Sequence, residues 1–297
     1  MRQRLFQIML CGILGAQVVG CASPLSGLRA AFRDFEQSHV FQPNPYPAGD
    51  WSPAAFEFED VWFTAADGTR LNGWYYPHEK AVGIALFAHG NGGNLTHCAE
   101  ILRSLHNRHR LSIMAFDYRG YGKSEGTPVE EGILQDAIAA RQWLEQRERI
   151  AATDVILVGQ SLGGGIMVDL AANDNARGLV LISTFTSLPD VAAHHYPLLP
   201  SRSLMHNRFD SIAKIGDFHG RLLQVHGDKD RTVPLEQAQR LFAAANEPKR
   251  FVANHGGDHN DRLSEEFHKA FEEFLASLPP VHRQPPPPRW RSTQVAE

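Results

Sequence analysis

The sequence predicts an α/β fold: a mostly parallel sheet with helices on both faces and an antiparallel N-terminal hairpin. Three observations predict it. From residue 84 onward, short apolar runs alternate with segments of helical periodicity, as crossover connections between parallel strands require. The runs are apolar at nearly every position, which suits strands buried on both faces. Ahead of them, two segments flank Asp67-Gly68, a dipeptide favoured in tight hairpin turns.

Taken in order, the chain opens with Arg2 and Arg4, then an apolar stretch from Leu5 to Val19 that ends in Val18-Val19-Gly20-Cys21. A positive start, an apolar middle and a small-residue junction make a secretion signal. The stretch is shorter than the roughly 18 apolar residues of a membrane span, so residues 1–20 are expected to be removed on export. Val-Val-Gly-Cys departs from the A-x-A-like pattern of a plain signal and resembles the lipobox of bacterial lipoproteins. That resemblance implies lipidation of Cys21 and attachment to a membrane of the bacterial cell envelope. With Cys11 lost alongside the signal, Cys98 has no partner, so no disulfide is expected and Cys98 packs as a small apolar residue.

Residues 21–55 are Pro-rich, with Pro43, Pro45, Pro47 and Pro53, and only Leu28 to Phe35 has helical spacing. They read as a tether and N-terminal extension that packs in part. Phe56 to Thr64 and Leu71 to Tyr76 form the hairpin. The buried strands are Ile84 to Ala88, Ser112 to Phe116, Val155 to Val158, Leu179 to Ile182, Leu222 to Val225 and Arg250 to Ala253. Helices are expected over Leu95 to Leu105, Gly132 to Glu148, Leu162 to Ala172, Leu235 to Ala245 and Ser264 to Leu278. One domain over residues 56–278 follows. Beyond it, residues 279–297 carry Pro279-Pro280 and Pro285 to Pro288 and are expected to be a disordered tail.

A chain of 297 residues, 43% hydrophobic and 21% charged, can bury one large core. Its net charge of −4 and the lack of a clustered basic face argue against nucleic acid as a partner. A small neutral or cationic ligand fits better, and the chain is expected to be a monomer. The 15 histidines form no H-E-x-x-H or Cys/His cluster, so neither a metal nor a cofactor is expected.

The chemistry concentrates in Gly159-Gln160-Ser161-Leu162-Gly163, which follows the strand Val155 to Val158 and opens a helix. This is the nucleophile elbow G-x-S-x-G in its structural context. Glycines on either side let a sharp turn pass close to its neighbours, and the turn lifts the Ser161 hydroxyl clear of the sheet. A hydroxyl is a weak nucleophile at neutral pH, so it needs a base and donors for the developing oxyanion. His89-Gly90-Asn91-Gly92-Gly93, after the strand Ile84 to Ala88, lies where this kind of site takes its second donor. The expected oxyanion hole is the backbone N–H of Asn91 and of Leu162, with His89 structural.

These motifs, together with Asp117-Tyr118-Arg119-Gly120-Tyr121-Gly122 and His226-Gly227-Asp228-Lys229-Asp230, resemble the α/β-hydrolase superfamily from about Phe56 to Leu278. Within it they resemble the branch of lysophospholipid lipases and protein depalmitoylases. The resemblance implies an α/β-hydrolase fold and places the triad acid at Asp230, with Asp228 as the second candidate, and the base at His259. His255, closer to the last strand, reads as structural, and so does the Asp117 to Gly122 segment, a strand-end turn that buttresses the oxyanion loop. The order Ser161, Asp230, His259 is that of the fold.

The expected reaction is hydrolysis of a carboxylic ester or thioester through an acyl-enzyme on Ser161. A serine aminopeptidase on the same triad and an inactive binding protein on the same scaffold are the competing readings. Between two of the strands, residues 183–220 leave room for a small cover, whose Tyr196, Leu198, Leu199 and Leu204 could line an acyl pocket or simply pack.

Overall fold

In the computed structural model, which describes Glu36, residues 40–53 and residues 57–283, the strands are Gln42–Pro43 (β1), Glu59–Thr64 (β2), Arg70–Tyr76 (β3), Gly83–Ala88 (β4), Gly92–Gly93 (β5), Leu111–Phe116 (β6), Val155–Gln160 (β7), Gly178–Ile182 (β8), Leu222–Gly227 (β9) and Lys249–Asn254 (β10). The helices are Ala99–His109 (α1), Glu130–Glu148 (α2), Leu162–Asp174 (α3), Leu188–His195 (α4), Ser201–Leu204 (α5), Ser211–Lys214 (α6), Leu235–Ala244 (α7) and Glu265–Ser277 (α8). No helix among the described residues is long and apolar enough to cross a membrane.

The main sheet has eight strands in the order β10-β9-β8-β7-β4-β6-β3-β2. β3 pairs antiparallel with both β2 and β6, and every other pair in this sheet is parallel. The hairpin closes as its turn dipeptide predicts: Gly68 N–H donates to Ala65 O at 2.9 Å, and Thr69 N–H donates to the Asp67 carboxylate at 3.0 Å.

The central strands are apolar throughout because alternate residues serve two cores. Along β4, Ile84, Leu86 and Ala88 face one layer, with Ile133 of α2, Met167 of α3 and Leu241 of α7. Ala85 and Phe87 face the other, with Leu102 of α1 and Phe271 of α8. α8 shows how such a helix is specified. Ser264 caps it by accepting from Phe267 N–H, and Phe267, Phe271 and Phe274 recur on one buried face. Burying each large apolar side chain is worth about 1.5–3 kcal/mol.

The strands and helices fall within a few residues of the expected ones. The segment expected as one helix over Leu95 to Leu105 divides into a 3-10 turn, Leu95–Cys98, and α1. Cys98 is free and buried, and burial pushes its thiol up to about 12.

The structure describes part of the extension and corrects one expectation about the tail. In the extension read as a tether, residues 40–53 are built into the fold: Phe41 is buried, β1 pairs with β5, and the Trp51 ring lies edge-on to Trp74 at 5.7 Å. The tail expected to be disordered from residue 279 is held as far as Arg283. Pro279 O accepts from Arg177 at 2.7 Å, Val281 packs on the core, and Arg283 pairs with Glu148 at 2.9 Å. Proline ends α8 but does not stop the chain from packing. The expected signal, Cys21, the helical spacing over Leu28 to Phe35 and the rest of the tail lie outside the described residues.

Candidate active site

Parallel strands all end at the same edge of a sheet, so the loops after β4, β7, β9 and β10 meet there. The central one is the elbow between β7 and α3. Ser161 sits at φ 52°, ψ −115°, a conformation that L-residues avoid. The surroundings hold it there. Ser161 N–H donates to Ile182 O at 2.8 Å, and its carbonyl accepts from Gly164 N–H at 2.9 Å and from the Thr184 hydroxyl at 2.8 Å. The flanking glycines are required by close approach: a Cβ on Gly159 would stand 2.4 Å from Gly163 O, and one on Gly163 would stand 2.1 Å from Ala88 O.

Residues almost a hundred positions apart meet at this hydroxyl. His259 Nε2 lies 2.9 Å from Ser161 Oγ, and His259 Nδ1 lies 2.7 Å from Asp230 Oδ2. With Nδ1–H donating to the carboxylate, Nε2 is left free to accept the serine proton. Asp230 is itself well held, since Oδ1 accepts from the N–H groups of Thr232 and Val233, both at 2.8 Å. Burial pushes the Asp230 carboxyl up, but the bonds and charge of His259, the Val233 N–H and His226 together bring it below its ordinary value.

The other candidate acid faces another histidine. Asp228 Oδ2 lies 3.1 Å from His255 Nδ1, and Oδ1 accepts from Gly256 N–H at 2.7 Å. A second clasp joins the same loops, because Asp258 Oδ1 accepts from Arg231 N–H at 3.1 Å and from His259 N–H at 2.9 Å. Arg231 directly follows Asp230, and Asp258 directly precedes His259. The two clasps tie the loop after β9 to the loop after β10.

The loop after β4 passes beside the nucleophile: a Cβ on Gly90 would stand 3.6 Å from Ser161 Cβ. Asn91 follows Gly90, and Leu162 begins α3, where an N–H has no partner within its own helix. Both expected oxyanion donors therefore belong to segments adjoining Ser161. Tyr118 and Tyr121 support the loop through hydroxyl bonds to His89 O and to Asn91 Oδ1, the second at 3.0 Å. His89 is buried, stacks on Tyr118 at a centroid distance of 4.2 Å and lies 3.4 Å from Asp117. Burial pushes the Asp117 carboxyl up, and its contact with His89 opposes that. Asp117 also accepts from Leu95 N–H at 2.9 Å, while Arg119 is bound to Asp136 and Asp67. These groups shape the loop without reaching Ser161.

The sequence reading assigned no role to His226. Its buried ring gives Nε2 contacts of 2.8 Å to Val233 O and 3.3 Å to Asp230 Oδ2, so two imidazoles share one carboxylate oxygen. The only sequence signal was a histidine at a strand end four residues before the acid. Residues 183–220, expected to form a small cover, fold into α4, α5 and α6 and their connections. His195, at the end of α4, reaches Thr232 O at 2.8 Å. Of the four candidate pocket residues, Tyr196 and Leu198 are 42% and 93% exposed, and Leu199 and Leu204 are half-buried. Among the described residues, no group of three or more His, Cys, Asp or Glu side chains is placed to hold a metal ion.

Comparison with known proteins agrees with this architecture. A family model described as the alpha/beta hydrolase fold matches residues 86–204. The uncharacterized protein Rv2307c of Mycobacterium tuberculosis is 39% identical over 224 residues, which cover 75% of this chain and 79% of that one. The alpha/beta hydrolase domain-containing protein WAV2 of Arabidopsis thaliana is 32% identical over 251 residues, covering 76% and 81%. Among solved structures, the Pyrococcus furiosus esterase Pf2001 matches with a TM-score of 0.65 at 20% identity, over 80% of this chain and 97% of that one. The chain belongs to the α/β-hydrolase family.

Proposed function

We propose that this protein is a serine hydrolase that cleaves carboxylic esters or thioesters through Ser161, His259 and Asp230. The observation that carries the reading is the single imidazole of His259, set 2.9 Å from the Ser161 hydroxyl and 2.7 Å from the Asp230 carboxylate. In the first half-reaction, His259 Nε2 takes the Ser161 proton as Oγ attacks the acyl carbonyl. The Asn91 and Leu162 N–H groups receive the oxyanion, and Asp230 stabilises the imidazolium. His259 then returns the proton to the leaving oxygen or sulfur. Water, activated by the same imidazole, releases the acid.

The choice of an ester or thioester substrate rests on this acyl-transfer chemistry. The name of the Pyrococcus relative is consistent with it, but a likeness at 20% identity shows the fold alone. In this reading Cys21 carries lipid and holds the enzyme on a membrane of the bacterial envelope. Profiling of full-length protein on activated esters, acyl thioesters and peptide anilides, with Ser161→Ala as the control, tests the proposal. Ester or thioester turnover lost in Ser161→Ala is the expected result. Turnover of anilides alone would move the assignment to a peptidase, and no turnover with no labelling by a fluorophosphonate would remove the hydrolase reading.

A further inference from the structure

We infer that the N-terminal extension is a positioning element for the oxyanion loop, so that turnover depends on a segment outside the hydrolase core. The inference rests on the acyl-hydrolase reading of Ser161. Its basis is how many of the extension's bonds end on that one loop.

The loop Gly90-Asn91-Gly92-Gly93 contains three glycines and one expected oxyanion donor, the N–H of Asn91. Glycine carries the largest conformational entropy of any residue, so such a loop does not hold a donor in place alone. The extension supplies what it lacks. β1 runs parallel to β5 with Gln42 opposite Gly92 and Pro43 opposite Gly93. Asn44 N–H donates to Gly93 O at 2.9 Å. The Asn91 side chain is tied at both ends: Nδ2 donates to Val40 O, and Oδ1 accepts from the Tyr121 hydroxyl at 3.0 Å. Asn94, fully buried, donates from Nδ2 to Asn44 O at 2.8 Å and to Ala48 O at 2.9 Å.

The same segment reaches two further parts of the site. Tyr46 N–H donates to Gly122 O at 2.7 Å, in the turn that carries Tyr118 and Tyr121. The buried Glu36 carboxylate accepts from Asn207 N–H at 2.7 Å and from His206 N–H at 3.0 Å, between α5 and α6. The extension thus joins the oxyanion loop, its supporting turn and the cover. At Gly49 the chain bends at φ +101° against Thr96, where a Cβ would stand 2.0 Å from the hydroxyl oxygen.

Two single substitutions in the full-length protein loosen this strap at different points. Asn94→Asp keeps the oxygen that caps Thr96 N–H at 3.0 Å but removes both donors to the extension. Gly49→Ala forces the bend away from Thr96. For each, kcat on an activated ester is expected to fall roughly 10- to 100-fold with KM changed less than about threefold, the cost of an oxyanion donor displaced by up to an ångström. Fluorophosphonate labelling of Ser161 is expected to slow in parallel. Hydrogen exchange is expected to quicken at residues 91–93 and stay unchanged in β7. If both variants melt lower but keep wild-type kcat per folded molecule, the extension only stabilises the fold and the inference is overturned. If wild-type protein shows neither turnover nor labelling, the hydrolase reading falls first and takes the catalytic role of the strap with it.

Discussion

Asp230 Oδ2 lies 2.7 Å from His259 Nδ1, whereas Asp228, two residues earlier on the same turn, lies 3.1 Å from His255. The two acid–histidine pairs are built alike but differ in what they reach, because only His259 touches Ser161. Asp230→Asn is therefore expected to lower turnover roughly ten-thousand-fold, by analogy with other triads, since the base loses its orientation and its counter-charge. Asp228→Asn removes an exposed pairing and should cost less than about tenfold. Turnover of the two folded variants on one activated ester tests the assignment, and a reversed order would move the acid to Asp228.

The strained backbone of Ser161 gives a prediction about stability as well as activity. Ser161→Ala and Ser161→Gly should both lose turnover by on the order of a million-fold. They should differ in melting temperature. Alanine keeps the positive φ of 52°, while glycine relieves strain of roughly 1–3 kcal/mol and gives back about 0.5–1 in chain entropy. The glycine variant is expected to melt about 2–4 °C above the alanine variant. Equal melting temperatures would show that the strain stored at the elbow is no larger than the chain entropy that glycine gives back.

Acid should weaken the fold through a buried histidine pair. His109 Nε2 lies 2.9 Å from His268 Nδ1 between α1 and α8. Burial, with the nearby charges of His268 and Arg108, brings His109 down to about 4, and burial lowers His268 as well. In the unfolded chain these rings bind protons near pH 6.5, so the folded state holds fewer protons between that pH and about 4. Stability is complete above the upper limit and falls as pH drops through this window, by about 3 kcal/mol for His109. His109→Phe should flatten the fall, which urea midpoints at about pH 7 and about pH 4.5 will show. Parallel pH profiles in the two proteins would assign the acid loss to other groups.

Val18-Val19-Gly20-Cys21 makes the anchor testable without any structure. Cells fed a labelled fatty acid should label the wild-type protein, and Cys21→Ser should leave it unlabelled and released or unprocessed. Two acyl chains hold a protein on a bilayer stably, whereas one holds it only marginally. An unlabelled wild-type protein that still fractionates with membranes would end the lipoprotein reading.

The sheet was legible in the sequence because its strands are buried on both faces, and such strands read as unbroken apolar runs whatever their neighbours. Val155 to Val158 and Ile84 to Ala88 are of this kind. The elbow was legible because a strand-to-helix turn this tight demands glycine at positions 159 and 163, a local steric need that leaves a local mark. The short helices of the cover were not legible. They run only 8, 4 and 4 residues, too short for a helical period to show, and α4 and α5 pair with each other through Asp190 and Arg202 at 2.7 Å.

By itself, then, the sequence determined the α/β class and the elbow at Ser161, and its motifs singled out Asp230 and His259 as the candidates to meet it. All of these follow from forces acting over a few residues or from recurring motifs. Only the tertiary structure set Asp228 against His255 and brought Asp230 to His259, because the two acids share one turn and differ by which loop residue closes on them in space. Only it drew His226 onto the Asp230 carboxylate, and only it turned a Pro-rich extension into a strand on the oxyanion loop. Prolines at 43, 45 and 47 forbid a helix and say nothing of a partner. The partner is a glycine loop some fifty residues away, where Gly93 C=O accepts from Asn44 N–H at 2.9 Å.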